Sequence, residues 1–282
     1  MILITGARGE EVALLQKRLV RAGYPVEVTH VYDDATAGAV MALQRAAGLV
    51  VDGIYGPKTE MALLAGKPQP KHLTAADLVA AAAQLSLPLS TVRAVNEVES
   101  AGLGFLPDGR PKILFERHVF WKRLKAFGID PAPIAAKSPH LVSQTPGGYQ
   151  GGSSEYMRLA AAENIHPQAA KESCSWGAFQ IMGYHWQAMK YAGLADFIAR
   201  MELSEGEHLG AFVRYLQHVD PALVAALKAR KWAAFAKGYN GPGYAANLYD
   251  VKLDRAAARY RALDKAGQDA QEAPQALEAV EA

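Results

Sequence analysis

The sequence has a single cysteine, Cys174, and no long uninterrupted apolar run. One thiol excludes an internal disulfide, so packing alone must stabilise the fold. A lone cysteine is also more often a small buried residue than a nucleophile. A membrane-spanning helix needs roughly twenty consecutive apolar residues, which no segment approaches. Because the N-terminal residues lack the basic start and apolar stretch of a secretory signal, we expect a protein made in the cytoplasm and not inserted into a membrane.

The sequence also lacks a large excess of positive or negative charge and a metal-binding motif. The net charge is +2, and no dense run of lysine and arginine with interleaved aromatics appears, so nucleic acid is a poor candidate for a partner. The segment 264–282 has a net charge of −4, which leaves +6 on the rest of the chain and favours an anionic polymer surface. The eight histidines are scattered and form no His-Glu-x-x-His, so a zinc amidase or peptidase lacks its ligands.

What the sequence has in abundance is alanine and helical spacing of apolar residues. Its 282 residues, half of them apolar, suffice for two domains of unequal size. These features predict an all-α protein. We divide it into an N-terminal domain at 1–66, a linker with prolines and lysines at 67–74, a larger helical domain at 75–263 and an acidic tail at 264–282.

The N-terminal domain contains a degenerate internal repeat. VALLQKRL followed by AGY at 12–24 is echoed by VMALQ followed by AGL at 40–49. Each copy spaces apolar residues along one helix face and ends at a glycine, and a turn segment follows each copy. The second turn reads DGIYGPKT at 52–59, where glycine and threonine shape the turn and cap the next helix. The pattern predicts a small three-helix bundle.

This repeat resembles the peptidoglycan-binding domain found in many cell-wall hydrolases, over residues 5–65. The second copy matches the pattern LQ…GL…DG-(F/Y)-G-x-x-T closely, whereas the first has lost its glycines and reads YDDAT at 32–36. The resemblance implies that the N-terminal domain binds bacterial peptidoglycan.

The segment from Ser90 to Glu116 carries the most chemical information. Ser90 or Thr91 is expected to cap a helix whose last turn contains Glu99. The negative end of the helix dipole and apolar neighbours would both disfavour the ionised carboxylate and raise its pKa, as a general acid at neutral pH requires. Glu97, two residues away, lies on a different helix face, so only one of the two should enter a cleft.

Three motifs then follow one another in the larger domain: EVESAGLGF at 97–105, SWGAFQIMG at 175–183 and KGYNGPGY at 237–244. In this order they resemble motifs of goose-type lysozymes and lytic transglycosylases. Residues 73–263, including GRPKILFERH at 109–118, resemble more closely the N-acetylmuramidase domain of endolysins from phages of Gram-negative hosts.

The resemblance implies hydrolysis of the β-1,4 bond between N-acetylmuramic acid and N-acetylglucosamine, without a metal or organic cofactor. In those families the glutamate matching Glu99 protonates the glycosidic oxygen. Residues of the second and third motifs build the cleft and contact the sugar, here Ser175, Gln180, Tyr239 and Asn240. We expect a lytic enzyme that acts as a monomer on peptidoglycan. It would stay in the host cytoplasm until another factor releases it to the periplasm and cell wall.

Glycoside hydrolysis usually needs a second carboxylate, and Asp108 is the candidate. It could hold a water molecule or stabilise the oxocarbenium-like charge, although Asp-Gly is also a favoured turn pair. Glu116 is assigned a structural role, in which it pairs with Arg110 or Arg117 or orients groups near the cleft. Two alternatives remain open. One is a lytic transglycosylase, which uses one glutamate and the sugar's own hydroxyl, and the other is a wall-binding protein that has lost activity.

Overall fold

The computed structural model describes residues 2–66, 71–100 and 103–272. Helices dominate the N-terminal domain, as predicted. They are α1 (Glu10–Arg21), α2 (Asp34–Ala46) and α3 (Pro57–Ala65). The three-helix bundle encloses a core of its own, in which Leu19, Tyr32 and Val40 are fully buried.

A buried glutamine in each sequence repeat shapes the turn that follows it. The Gln16 side chain accepts from the backbone N–H groups of Thr29 and His30 and donates to Thr36 Oγ1. Gln44 does the same in the second repeat, where it accepts from the N–H groups of Asp52 and Gly53. Because buried backbone donors must find partners, each glutamine fixes an irregular segment against the helix that carries it.

The larger domain is helical, with one small sheet. Its first helices are α4 (Ala75–Leu85), α5 (Leu89–Glu99), α6 (Arg117–Ala126), α7 (Ala132–Lys137), α8 (Ser154–Glu163) and α9 (Pro167–Glu172). The remainder are α10 (Leu194–Leu203), α11 (Glu205–His218), α12 (Pro221–Lys228), α13 (Trp232–Asn240) and α14 (Tyr249–Glu272), with 3₁₀ turns at Gly183–His185 and Pro242–Asn247. The strands are β1 (Ile113–Phe115), β2 (Cys174–Trp176) and β3 (Ile181–Met182). The predicted all-α class is confirmed. In the described part of the chain, the short three-stranded sheet is the one feature that this class did not predict.

Helix α5 ends at Glu99, as predicted, but it begins differently. Pro88 occupies the N-cap position, and Ser90 and Thr91 are buried inside the first turn, so the expected cap by either hydroxyl is wrong. A proline fits there because the first helical turn leaves its N–H groups unpaired in any case. Helix α5 packs chiefly against α14 and also against α4.

Among the described helices, none alone is long and apolar enough to cross a membrane. Helices α4 and α5 together have the length and composition, but they meet at an angle of 115°.

The short sheet is antiparallel in the order β1-β2-β3 and carries the second motif. Ser175 pairs with Leu114 on one side and with Met182 on the other. Gly183 follows β3 where a Cβ atom would lie 2.5 Å from the Lys171 carbonyl oxygen, so only glycine fits this approach. The sheet thereby fixes the SWGAFQIMG segment beside the helices.

Part of the expected linker and part of the expected tail belong to the packed larger domain. Of the linker, residues 67–70 lie outside the described part, whereas Leu73 is buried and Thr74 caps α4 in a reciprocal box with Asp77. The tail begins inside α14, where Asp264 forms an ion pair of 2.5 Å with Arg93. Residues 273–282 lie outside the described part.

The long loop before α8 is held by a buried ion pair. Glu155 is fully buried, accepts from the backbone N–H groups of Phe115, Gln150 and Gly151, and contacts Arg158 at 2.8 Å. Arg158 in turn donates to the Phe115 carbonyl oxygen. One carboxylate therefore joins the loop to strand β1.

We expect Glu155→Gln to lower the free energy of unfolding by about 3 kcal/mol, because it leaves Arg158 as a buried charge without its partner. Urea denaturation at neutral pH measures the loss. The matched control is Glu163→Gln, which breaks an exposed pair with Lys171 and should cost less than about 1 kcal/mol. Equal losses for the two variants would contradict the anchoring role of Glu155.

Candidate active site

Glu99 lies at the carboxyl end of α5 and borders a cavity of about 430 Å³. Its side chain is half-buried, and burial raises the pKa of Glu99 to about 7, although a hydrogen bond from Asn240 opposes the shift. The Asn240 Nδ2 atom lies 3.0 Å from Oε1 and 3.3 Å from Oε2 of the carboxylate. A carboxyl group with this pKa is protonated in a large fraction of molecules at neutral pH, as a general acid must be.

The third motif reaches Glu99 through the end of α13. Tyr239 donates its hydroxyl to the Phe179 carbonyl oxygen at 2.9 Å and stacks on Phe235. Asn240 is the last residue of the helix, and Gly241 then turns the chain with φ 76°. The hydrogen bond from Tyr239 thus ties the third motif to the second, and it leaves the Asn240 amide directed at Glu99.

Gln180 of the second motif also borders the cavity. Its backbone has φ 51°, a left-handed conformation that few non-glycine residues adopt. Its side chain donates to the Gly177 carbonyl oxygen at 2.8 Å and accepts from Ser175 Oγ at 2.8 Å. Ser175 is buried behind Gln180 and is not among the described residues on the cavity wall, so it orients Gln180 from behind.

The structure does not bring Asp108 together with Glu99. Asp108 is exposed in the turn closed by the hydrogen bond from Gly109 N–H to the Leu106 carbonyl, and it is not among the described residues lining the cavity. Its carboxylate contacts the Arg110 guanidinium at 2.6 Å. Hydrogen bonds from Arg110 hold the pKa of Asp108 below its usual value. Its observed partners are therefore those of a turn residue.

Two other acids near the first motif have structural partners. Glu97 accepts hydrogen bonds from Arg259 and from the Tyr260 hydroxyl on α14, away from the Glu99 cavity. Glu116 accepts from the Tyr149 hydroxyl at 2.8 Å and contacts His118, so its expected pairing with Arg110 or Arg117 is wrong.

The remaining cavity wall is mainly aromatic and uncharged. It includes Tyr184, His185, Tyr215 and Tyr249, none of which the motifs had indicated. Burial lowers the pKa of His185 to about 4, so its imidazole is neutral near pH 7. Apart from Glu99, no carboxylate lies among the described residues of this wall. The wall can therefore stack against and hydrogen-bond a sugar, while one group alone can exchange a proton with it at neutral pH.

Cys174 lies in the core beneath the second motif. It is fully buried, its thiol contacts the Ala170 carbonyl, and burial raises its pKa well above the usual value. A protonated, inaccessible thiol is not a nucleophile. Within the described residues, no group of three or more His, Cys, Asp or Glu side chains is placed to hold a metal ion.

Replacing Glu99 with glutamine is expected to stabilise the protein at high pH. The carboxyl titrates near 4.5 when unperturbed and at about 7 in the fold, so the folded state binds more protons between these values and loses stability as pH rises. Glutamine does not titrate and lacks this penalty. The measurement is the melting temperature of both proteins at about pH 4 and about pH 8. The difference in favour of Glu99→Gln should grow with pH. An advantage that does not depend on pH would show that the Glu99 pKa is unperturbed.

Comparisons with known proteins identify families for both domains. The N-acetylmuramidase family model matches residues 88–261, and a model described as a putative peptidoglycan binding domain matches residues 8–63. The solved structure of the Burkholderia AP3 phage endolysin is 52% identical, covers 93% of this chain and 99% of its own, and superposes with a TM-score of 0.88.

Two curated relatives from Bacillus licheniformis share a shorter segment. The N-acetylmuramoyl-L-alanine amidase CwlL is 51% identical over 67 residues, 23% of this chain and 19% of its own. A probable N-acetylmuramoyl-L-alanine amidase is 46% identical over 70 residues, 24% of this chain and 20% of its own. The chain spans about a fifth of the length of these two relatives, so they carry no activity over to it.

The N-acetylmuramidase match spans more than half of the chain and contains Glu99, Gln180 and Asn240. The chain therefore belongs to the N-acetylmuramidase family of lysozyme-type peptidoglycan hydrolases, with a peptidoglycan-binding domain at its N-terminus.

Proposed function

We propose that Glu99 is the general acid in cleavage of the β-1,4 bond between N-acetylmuramic acid and N-acetylglucosamine. The observation that carries the proposal is the raised pKa of a half-buried carboxyl group at the edge of a sugar-sized cavity. Protonation of the glycosidic oxygen lets the leaving sugar depart as an alcohol, while positive charge develops on the other sugar.

Among the described residues of the cavity wall Glu99 is the one carboxylate, and this suggests how the second half of the reaction proceeds. Once Glu99 has given its proton to the leaving oxygen, it is a carboxylate. A water molecule that adds to the anomeric carbon must lose one proton, and Glu99 can take it, which restores the acid. Gln180 and the Tyr184 hydroxyl border the same cavity and can hydrogen-bond that water without a charge of their own. No metal or organic cofactor is required for these steps.

We assign supporting roles to the other motif residues from their contacts. Asn240 donates to Glu99 and would favour its ionised form after proton transfer. Ser175 sets the rotamer of Gln180, and Tyr239 holds the second and third motifs at a fixed distance. In this scheme Asp108 stabilises its turn through Arg110 and does not touch the reacting atoms.

The N-terminal domain, 1–66, is proposed to attach the enzyme to the wall, and 75–263 to carry out the chemistry. The similarity to a phage endolysin supports a lytic role in which another factor gives the enzyme access to the wall from the cytoplasm. Attachment raises the concentration of the cleft at its insoluble substrate.

We expect Glu99→Gln to lower wall hydrolysis by at least about a hundredfold while folding and sacculus binding persist, because the amide has no proton to transfer. Release of soluble muropeptides from purified sacculi measures the loss. The matched control is Glu97→Gln, whose side chain faces α14 and should leave turnover nearly unchanged. Wild-type activity should fall as pH rises above about 7, because the acid form of Glu99 is then lost. Near-wild-type rates for Glu99→Gln would remove it from the mechanism.

Mass spectrometry of the same digest separates hydrolysis from transglycosylation. A hydrolase leaves reducing N-acetylmuramic acid ends, whereas a lytic transglycosylase leaves anhydro ends. The proposal requires reducing ends, and anhydro ends as the main product would reassign the enzyme.

For Asp108→Asn we expect hydrolysis within a few-fold of wild type, since asparagine fits the same turn and Asp108 lies off the described cavity wall. The rate of muropeptide release at constant fold, verified by circular dichroism, is the measurement. A loss comparable to that of Glu99→Gln would instead place Asp108 among the catalytic carboxylates.

A further inference from the structure

Glu205, the first residue of α11, is buried with only 1% of its side chain exposed. One carboxylate oxygen accepts from the Gly104 N–H at 2.7 Å, and the other accepts from the Leu73 N–H at 2.8 Å. Gly104 follows Glu99 by five residues, and Leu73 immediately precedes the cap of α4. One buried carboxylate therefore holds both Gly104 of the first motif and Leu73 before the larger domain's first helix.

His208, one turn along α11, contacts the first motif as well, and it also reaches the second motif. It is 1% exposed and stacks on Phe105 at a centroid distance of 4.8 Å. Its Nδ1 atom accepts from the Ala178 N–H of the second motif, and Nε2 lies 2.7 Å from the Met201 carbonyl oxygen, which fixes the neutral tautomer with the proton on Nε2. A Cβ atom at Gly104 would lie 2.6 Å from Nδ1 of this imidazole. The first turn of α11 thus sets the position of both the first and second motifs.

The charge that balances Glu205 comes from the N-terminal domain. Lys58, in the first turn of α3, places its Nζ atom 2.7 Å from Glu205 Oε2. Burial alone would raise the pKa of Glu205, but Lys58 and the two backbone donors outweigh it, so the pKa is lowered and the carboxylate stays ionised.

Further contacts hold the N-terminal domain and the end of the linker in place. Leu49 of that domain pairs with Thr74 in an isolated antiparallel bridge. The Lys71 ammonium donates to the Gly109 carbonyl oxygen and lies over the Phe105 ring, while the Lys71 backbone carbonyl oxygen accepts from the Glu205 N–H. The ion pair is therefore part of a fixed interface between the domains.

We propose that Lys58 is a positioning residue for catalysis, through which the docked peptidoglycan-binding domain holds Gly104, five residues after Glu99, by way of Glu205. The binding domain then contributes to the turnover of bound glycan as well as to wall attachment. This inference rests on the proposed function of Glu99. Removal of the Lys58 charge leaves a buried carboxylate uncompensated, and Glu205 must then shift or recruit water, which releases Gly104.

The test uses the full chain and a substrate to which wall attachment cannot contribute. Soluble glycan strands, stripped of their peptides by an amidase, are digested by wild type, Lys58→Met and Lys58→Arg. We expect Lys58→Met to lower kcat by about tenfold with little change in KM, less than the hundredfold that a misplacement of about 1 Å can cause. Lys58→Arg keeps the charge and should recover most of kcat.

Two controls separate positioning from attachment and from unfolding. Lys17→Met removes an exposed lysine of the same domain on α1 and should leave kcat unchanged. Sacculus pull-down of Lys58→Met should equal wild type, since the change concerns the interface between the domains. If Lys58→Met does not fold at the assay temperature, Lys58→Gln replaces it, because glutamine keeps a donor without the charge.

A folded Lys58→Met or Lys58→Gln with wild-type kcat on soluble strands would overturn the inference. So would a loss confined to sacculus binding, which would assign Lys58 to wall attachment alone. Neither result bears on Glu99, whose role as the acid fails only if Glu99→Gln retains activity.

Discussion

The site depends on keeping one carboxyl group from ionising too readily. A glutamate in water titrates well below neutral pH, so a general acid must be moved to surroundings that disfavour its charge. Glu99 meets this requirement at the carboxyl end of α5, where the helix dipole is negative and the side chain is half-buried. The adjacent acid on the same helix, Glu97, is neutralised by Arg259 on α14. The packing of α5 on α14 therefore gives two glutamates that are two residues apart different surroundings, one paired with a cation and one at the cavity.

Several irregular segments of the fold depend on buried polar side chains that pair with their backbone N–H groups. Glu205 pairs the N–H of Gly104, Glu155 pairs three N–H groups around strand β1, and His208 pairs the N–H of Ala178. Gln16 and Gln44 play the same part in the binding domain. An unpaired buried donor costs roughly 1–3 kcal/mol, so each of these side chains selects one conformation of its segment. These long-range contacts fix the irregular segments, while α5, β3, α11 and α13 carry residues that border the cavity.

The difference between local sequence patterns and long-range contacts explains which features could be predicted from the sequence. The helical class, the three-helix N-terminal bundle, the end of α5 at Glu99 and the separate directions of Glu97 and Glu99 follow from periodicity and glycine signals, which are local. Motif resemblance placed Gln180, Tyr239 and Asn240 on one wall. The cap by Pro88, the short sheet and the location of Ser175 behind Gln180 depend on tertiary neighbours. The burial of Glu205 could not be predicted, because a glutamate at the start of a helix is usually an exposed surface residue.

Attachment of a catalytic domain to a polymer can work in two physical ways. A free tether raises local concentration and leaves the orientation of the cleft to diffusion. A docked domain fixes that orientation, because every bound molecule presents its cleft at the same angle to the surface that the binding domain holds. Two contacts dock the binding domain on the larger domain in this structure. They are the ion pair of Lys58 with Glu205 and the bridge between Leu49 and Thr74. Since the same carboxylate also accepts from the Gly104 N–H, the proposed role of Lys58 couples the orientation of the cleft at the wall to the geometry near Glu99 through this ion pair.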